Sequence, residues 1–218
     1  MRSRQITIID LGRTHFADAW EQQLHFAQQA RALHQGFLLC TEHYPTVTLG
    51  RRAQLDSDQR DHLARNQVAV HSIGRGGLAT YHGPGQIVIY AMIPLTAWKI
   101  KLRCFICALE QAMVHTCAQL HLPATAGSGQ SRPVGCWVGD KKIGAIGVAV
   151  QRGITTHGLA FNVAVDLHPY QWIDPCGLGP NSIASLDQLL KTQPAPALTM
   201  EAVQPLLLAQ LCGLLKAC

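Results

Sequence analysis

Gly74-Arg75-Gly76-Gly77-Leu78-Ala79-Thr80-Tyr81-His82-Gly83-Pro84-Gly85-Gln86 runs straight into the apolar Ile87-Val88-Ile89-Tyr90. Its five glycines let backbone pass through positive φ and approach a ligand closely. Arg75 and His82 stand inside that flexible frame, and a β-branched run follows. The stretch reads as a binding loop delivered onto a strand. The competing reading is a Gly/Pro turn that only joins two strands.

Working outward, Ile6 to Ile9 reads as a first strand. Thr14 is placed to cap a helix from His15 to Gln35, whose Phe16, Ala19, Trp20, Leu24, Ala27, Ala30 and Leu33 recur at threes and fours on one face. Gly36 is the expected stop. Phe37 to Cys40 is a buried strand, Val47 to Gly50 is extended, Asp58 to Asn66 suits a short helix, and Val68 to Val70 leads into the glycine stretch. After it, Gln86 to Ile93 is strand, closed by Pro94. A helix from Lys99 to His121 puts Leu102, Ile106, Leu109, Met113 and Cys117 together, and residues 122–132 read as a mobile Gly/Ser/Pro loop. Val134–Val138, Lys142–Val150 and Ile154–Val165 read as three strands in a meander, turning at Gly139-Asp140 and Arg152-Gly153. Residues 172–182 are irregular, Ser185–Leu190 is a helical turn, Pro194–Pro196 a linker and Met200–Lys216 a terminal helix. Helices interleaved with a meander predict an α/β (α+β) fold with a mixed sheet.

The chain has 218 residues, 48% hydrophobic and 14% charged. That is enough for a sizeable core in one domain spanning residues 1–218. A net charge of +5 is spread without blocks and aromatics are only 6%. Nucleic-acid binding asks for clustered charge with interleaved aromatics, so the composition argues against it. One positive face that steers an acidic protein partner fits better. Leu78 to Trp98 lacks formal charge over roughly the membrane-spanning length, but His82, Gln86, Gly83-Pro84-Gly85 and Pro94 interrupt it. With no signal-like N-terminal segment, the expectation is a soluble cytoplasmic protein without a membrane role.

Eight cysteines show no framework of short spacings. Cys104 and Cys107, a lone Cys-x-x-Cys in a helical pattern, read as core cysteines rather than a metal or redox site. Cys176 differs: in Ile173-Asp174-Pro175-Cys176-Gly177-Leu178-Gly179 it sits in a turn, where a thiol is reachable. An ordinary thiol with pKa about 8.5 is only a few per cent thiolate at neutral pH, so a nucleophilic Cys176 needs a cation or base nearby. Lys141, Lys142, His82 and His157 are all candidates; the alternative is a turn cysteine that packs. A Gly-x-Ser-x-Gly elbow and a phosphate loop are both missing. An acyl-transfer enzyme of this kind would need an activated donor such as a thioester.

Four blocks, in order, resemble the lipoyl(octanoyl) transferase family over residues 74–186. They are Arg75-Gly76-Gly77 with Thr80-Tyr81-His82-Gly83-Pro84-Gly85-Gln86; Lys142-Ile143-Gly144-Ala145-Ile146-Gly147; His157-Gly158-Leu159-Ala160-Phe161-Asn162-Val163 with Asp166-Leu167; and Pro175-Cys176-Gly177 with Ser185-Leu186. Leu78-Ala79 departs from the family's usual polar residue and valine, and Ala184 stands where threonine is common. The resemblance implies a biotin/lipoate protein ligase-like domain that moves an octanoyl group from octanoyl-acyl carrier protein to a lysine of lipoyl domains. The implied acceptors are those of 2-oxo acid dehydrogenase subunits and glycine cleavage H protein. It implies Cys176 as the acyl thioester and Lys142 as its partner, with no cofactor and no metal. It also implies a substrate site of Arg75, Gly76, Gly77, Leu78, Ala79, Thr80, Tyr81 and His82, with Ala145, Ile146, Gly147, Gly158, Leu159 and Ala160 lining a slot for the chain. Each methylene buried there contributes about 0.8 kcal/mol, so slot depth can select chain length. His82 and His157 each have a second reading as hydrogen-bonded structural histidines, and Arg75 as an anchor of its own loop. Two further hypotheses are an ATP-dependent lipoate or biotin ligase and a catalytically dead carrier-protein binding module.

Overall fold

A computed structural model describes residues 4–129, 132–175, 177, 179–190 and 198–218. In chain order the elements are β1 (Ile6–Thr14), α1 (Phe16–Leu33), β2 (Gly36–His43), β3 (Thr46–Leu49), α2 (Ser57–Arg65), β4 (Ala69–Ser72), β5 (Ala79–His82), β6 (Gln86–Met92), α3 (Leu95–Trp98), α4 (Leu102–Gln119), β7 (Ala124–Ala126), β8 (Gly135–Val138), β9 (Lys141–Gln151), β10 (Ile154–Asn162), α5 (Leu186–Leu190) and α6 (Met200–Ala217). Among the described residues the strands form a seven-stranded sheet, β1-β2-β6-β10-β9-β8-β7, and a three-stranded sheet, β4-β3-β5. Parallel pairing is confined to β1–β2 and β3–β4 among these ladders. The expected mixed-sheet α/β class is what the chain adopts.

β6 explains why the strand after the glycine stretch is apolar at every position. Ile87, Ile89 and Ala91 pack with α4 and α6 on one face, while Val88, Tyr90 and Met92 pack beneath α1 on the other. A strand covered on both sides reads as a continuous apolar run. The same burial accounts for the charge-free span from Leu78 to Trp98, which folds as β5, β6 and α3. No helix among the described residues is long and apolar enough to cross a membrane. A third cluster, around Val47, Leu63, Ala79, Tyr81 and Tyr170, packs the small sheet against α2 and residues 165–173.

Several local expectations are corrected. Strand β5 lies inside the glycine stretch, because Ala79–His82 pairs with Thr46–Leu49. Thr14 does not cap α1: it completes β1 opposite His43, its hydroxyl bonds that of Thr41, and His15 takes the cap position without a side-chain bond. Gly36 does not stop the helix; His34 does so in a left-handed conformation, φ 53°. Leu24 and Leu33 are 43% and 61% exposed because α1 turns Phe16, Ala19, Gln23 and Ala30 inward instead. The helix expected from Lys99 begins only at Leu102, because Lys99, left-handed at φ 55°, closes the short preceding α3; Leu102 is left exposed and Phe105 is buried. The strand expected to reach Val165 ends at Asn162.

The loop read as mobile contains β7, paired with β8. It is tied down by Glu110, a fully buried carboxylate on α4. Glu110 accepts from the backbone N–H of Ser128 at 3.0 Å and of Gly135 at 2.9 Å, and from the Ser128 hydroxyl. The Cys-x-x-Cys reading is also corrected: Cys107 is exposed and Cys104 half-buried, whereas Cys40, Cys117 and Cys136 are buried. Burial pushes the Cys40 thiol up to about 12, which makes it inert. The Pro194–Pro196 linker lies outside the described residues.

Glu110→Ala takes the acceptor from the buried Gly135 N–H and from the partly exposed Ser128 N–H. It is expected to lower unfolding free energy by about 1–3 kcal/mol for the orphaned Gly135 group, measured by urea denaturation.

Candidate active site

Lys142 stands near the start of β9, opposite Trp137 of β8. It forms a parallel bridge with Ile183, and its carbonyl accepts from Ala184 N at 3.0 Å. The residue is 4% exposed, with Nζ 5.7 Å from the centre of the Trp137 ring. Although it follows a hairpin turn, this lysine is enclosed rather than solvated. Gly135, at φ 145°, makes room for its stem, since a Cβ there would meet Lys142 Cε at 2.7 Å and collide with the Gly144 carbonyl. A cation kept from water finds compensation in an aromatic face.

Lys142 lines a small cavity with Thr80, Gly144, Ala145, Asn162, Tyr170, Pro175 and Ile183. Cys176 lies outside the described residues. Its neighbours in sequence are described: Pro175 lines this cavity, and Gly177, at φ 69°, donates its N–H to Asp174 Oδ1 at 2.9 Å.

Thr80 and Ala145 also line a second, larger cavity, so the two adjoin. This slot runs between the first turn of α1, the small sheet and strands β6, β9 and β10. Arg75, Gly77, His82, Ile146, Gly147, Gly158, Leu159 and Ala160 line it, together with Phe16, Thr48, Ile73, Val88, Tyr90 and His157. Close approach is what the paired Gly147 and Gly158 supply. A Cβ on Gly147 would meet Arg75 Cδ at 2.7 Å, and one on Gly158 would strike the Ile89 carbonyl. Gly76, Leu78, Ala79 and Tyr81 do not line the slot. Gly76 N–H bonds Val148 O, the Leu78 carbonyl accepts from Gly50 N, and Ala79 and Tyr81 belong to the third core cluster. Alternation along β5 is the cause: Thr80 and His82 face the slot and the residues between them face away.

A directed hydrogen-bond chain crosses the site. Arg75 Nη2 donates to Thr48 Oγ1 at 3.0 Å and to the Thr48 carbonyl at 2.7 Å. Gln86 Nε2 donates to Asn162 Oδ1 at 2.8 Å, and Asn162 Nδ2 donates to the Ala184 carbonyl at 3.0 Å. The Gln86 oxygen is therefore the acceptor for His82 Nδ1, at 2.7 Å. His82 Nε2 is left to accept from the Thr48 hydroxyl at 3.3 Å. The tautomer follows from the partners. His43 works likewise, its Nδ1 on the Thr14 carbonyl and its Nε2 on the Tyr90 hydroxyl.

These imidazoles are held neutral. Burial, then the neighbouring His43, brings His82 down to about 3, against the opposing Gln86 bond. Burial, then the Arg75 charge, brings His157 to about 4. Burial also lowers His43. Sequence reasoning missed Thr48, Tyr90, Gln86, Asn162 and Tyr170 as members of this assembly. Gln86 and Asn162 carried a usable signal: each is an amide in a strand otherwise buried throughout, and buried amides require partners.

The architecture is that of the lipoate and biotin protein ligases. A crystal structure of lipoate-protein ligase A bound with ATP superposes with a TM-score of 0.71 at 17% identity, covering 98% of this chain and 85% of that one. Residues 15–212 match the lipoyl protein ligase A/B catalytic domain, and the chain belongs to that family. It is 36% identical over 202 residues to the octanoyltransferase of Xanthomonas axonopodis pv. citri, covering 93% of this chain and 82% of that protein. To the octanoyltransferase of Xanthomonas euvesicatoria pv. vesicatoria it is 38% identical over 203 residues, with the same coverage.

The depressed histidines fix a pH dependence. In the unfolded chain they protonate near 6.5, whereas the folded protein resists protonation until about 4 for His157 and about 3 for His82. Their contribution is therefore fully present above pH 6.5 and declines as pH falls toward 3, by up to roughly 1.4 kcal/mol per pH unit for each. Urea midpoints measured from pH 7.5 to 4.5 should fall accordingly, and His82→Gln should flatten the slope.

Proposed function

We propose that this chain transfers an octanoyl group from octanoyl-acyl carrier protein, through a thioester on Cys176, to a lysine of lipoyl domains in lipoate assembly. The observation that carries the reading is the enclosed Lys142 at a cavity that Pro175, the residue before Cys176, also lines. Family membership and relatives called octanoyltransferase support the substrate.

In this reading an ammonium beside the thiol favours thiolate. A fall in thiol pKa from about 8.5 to 6.5 lifts the thiolate fraction at pH 7 from a few per cent to about three quarters. The Cys176 thiolate attacks the donor's thioester carbonyl, the pantetheine sulfur leaves, and the Lys142 ammonium gives it a proton. Lys142, now neutral, takes a proton from the incoming lysine amine as that amine attacks the acyl-Cys176 carbonyl and the Cys176 sulfur leaves. Thioester to amide runs downhill, so ATP is not consumed. The slot from Ala145 to Gly158 holds the alkyl chain, and the Arg75 to His82 segment walls it.

Residues 1–218 are read as one acyltransferase domain, set in the cytoplasm, where thiols stay reduced. Lipoyl domains of 2-oxo acid dehydrogenase subunits and glycine cleavage H protein are the acceptors in this proposal. The net charge of +5 suits an acidic donor protein.

Mixing the protein with octanoyl-acyl carrier protein without ATP should add one octanoyl mass to the Cys176 peptide, and Cys176→Ser should abolish that thioester. Attachment that instead needs free octanoate and ATP would make it a ligase. Carrier-protein binding with neither adduct nor turnover would make it a binding module. Lys142→Arg keeps the charge but cannot titrate, and is expected to slow turnover roughly 10²- to 10⁴-fold.

A further inference from the structure

His157 sits in the middle of β10 in a conformation that the strand does not ask for. Its φ is 59°, uncommon for a residue with a side chain and a pointer to function where the surroundings hold it. Helix α1 does the holding, at two points. The His157 N–H donates to Gln23 Oε1 at 2.8 Å, and its ring stacks on Trp20 with centroids 5.0 Å apart and planes 7° apart. Trp20 and Gln23, three apart, share a helix face. Tyr90 meets the same imidazole edge-on at 6.4 Å. The residue is 3% exposed, and its Nε2 has no hydrogen-bond partner among the described residues.

The position of this stack matters more than its strain. His157 lines the slot. Behind it, between α1 and the far end of the β9–β10 hairpin, lies a groove of about 350 Å³ lined by Trp20, Leu24, Ala27, Arg152, Ile154 and Thr156. His157 touches the slot, Trp20 touches the groove, and the two rings are the partition.

The depth fits as well. The slot meets the Lys142 cavity at Ala145, which pairs with Ala160. From Ala160 to His157 is three residues of strand, about 10 Å. A staggered eight-carbon chain spans about 9 Å.

We propose that the His157–Trp20 stack is the end-stop of the acyl slot and sets the longest chain it accepts. The proposal rests on the reading of the slot as an acyl site. A ninth or tenth carbon meets a flat, fixed imidazole. With either ring removed, the slot opens into the groove and the chain continues along Leu24, Ala27 and Ile154. His157 and Trp20 thus determine specificity without touching the reacting atoms.

The test is calorimetric titration of the full chain with saturated fatty acids of six to sixteen carbons, which reads the slot without any transfer step. Wild-type affinity should rise about fourfold per methylene up to eight or nine carbons and then stop rising. In His157→Gly, where glycine accepts the left-handed backbone, and in Trp20→Ala, the rise should continue to at least twelve. A wild-type protein whose affinity keeps climbing past twelve carbons overturns the end-stop without any variant. So do natively folded variants that keep the wild-type limit. Octanoylation of Cys176 together with no chain-length limit sinks the end-stop alone; a clear limit with no octanoylation sinks the transfer reading alone.

Discussion

The structure depends on one run of hydrogen bonds, from Arg75 through Thr48, His82, Gln86 and Asn162 to the Ala184 carbonyl. Ala184 in turn bonds the Lys142 carbonyl through its N–H. The run joins the small sheet to the large one and crosses segments more than 130 residues apart in sequence. Every amide and imidazole in it has a fixed orientation, because Arg75 can only donate and a carbonyl can only accept. Such networks are costly when half-satisfied and rigidifying when complete. Here the complete network settles where the glycine stretch lies relative to β9.

Lys142 and the slot are then consequences of packing. Gly135 and Gly147 leave lanes in which the Lys142 stem and the Arg75 stem can lie, and the β9–β10 ladder sets Ala145, Ile146 and Gly147 opposite Ala160, Leu159 and Gly158. The outcome is an enclosed amine in a cavity beside an apolar slot that neutral imidazoles also line. That arrangement suits a reaction in which an alkyl group must be held still while its carbonyl is passed between two carriers. Neutral histidines add no charge that would compete with Lys142 for the proton.

How much of this could be read in advance follows from the kind of signal each feature gives. The β8–β9–β10 meander and β6 were legible because turn dipeptides and continuous apolar runs are local. The ends of α1 were not: Thr14 and Gly36 satisfy local rules, but the pairing of β1 with β2 claims both. The loop after α4 looked mobile because its anchor, Glu110, lies upstream on a helix. At the site, the motif named Arg75, His82 and the Ala145 and Gly158 segments, which line the slot, and Lys142, which lines the cavity beside it. The motif carried Ala79 and Tyr81 along with them, although strand alternation turns those two into the third core cluster. Thr48 and Phe16 join the slot from distant segments and gave no sequence signal.

The central claim is that the amine of Lys142 activates the thiol of Cys176. Its most direct measurement is the pH dependence of iodoacetamide alkylation at Cys176, followed on the peptide by mass spectrometry in the wild type and in Lys142→Met. The account predicts a wild-type midpoint well below the usual value of about 8.5 and a return toward it in the variant. Identical profiles in the two proteins would contradict it.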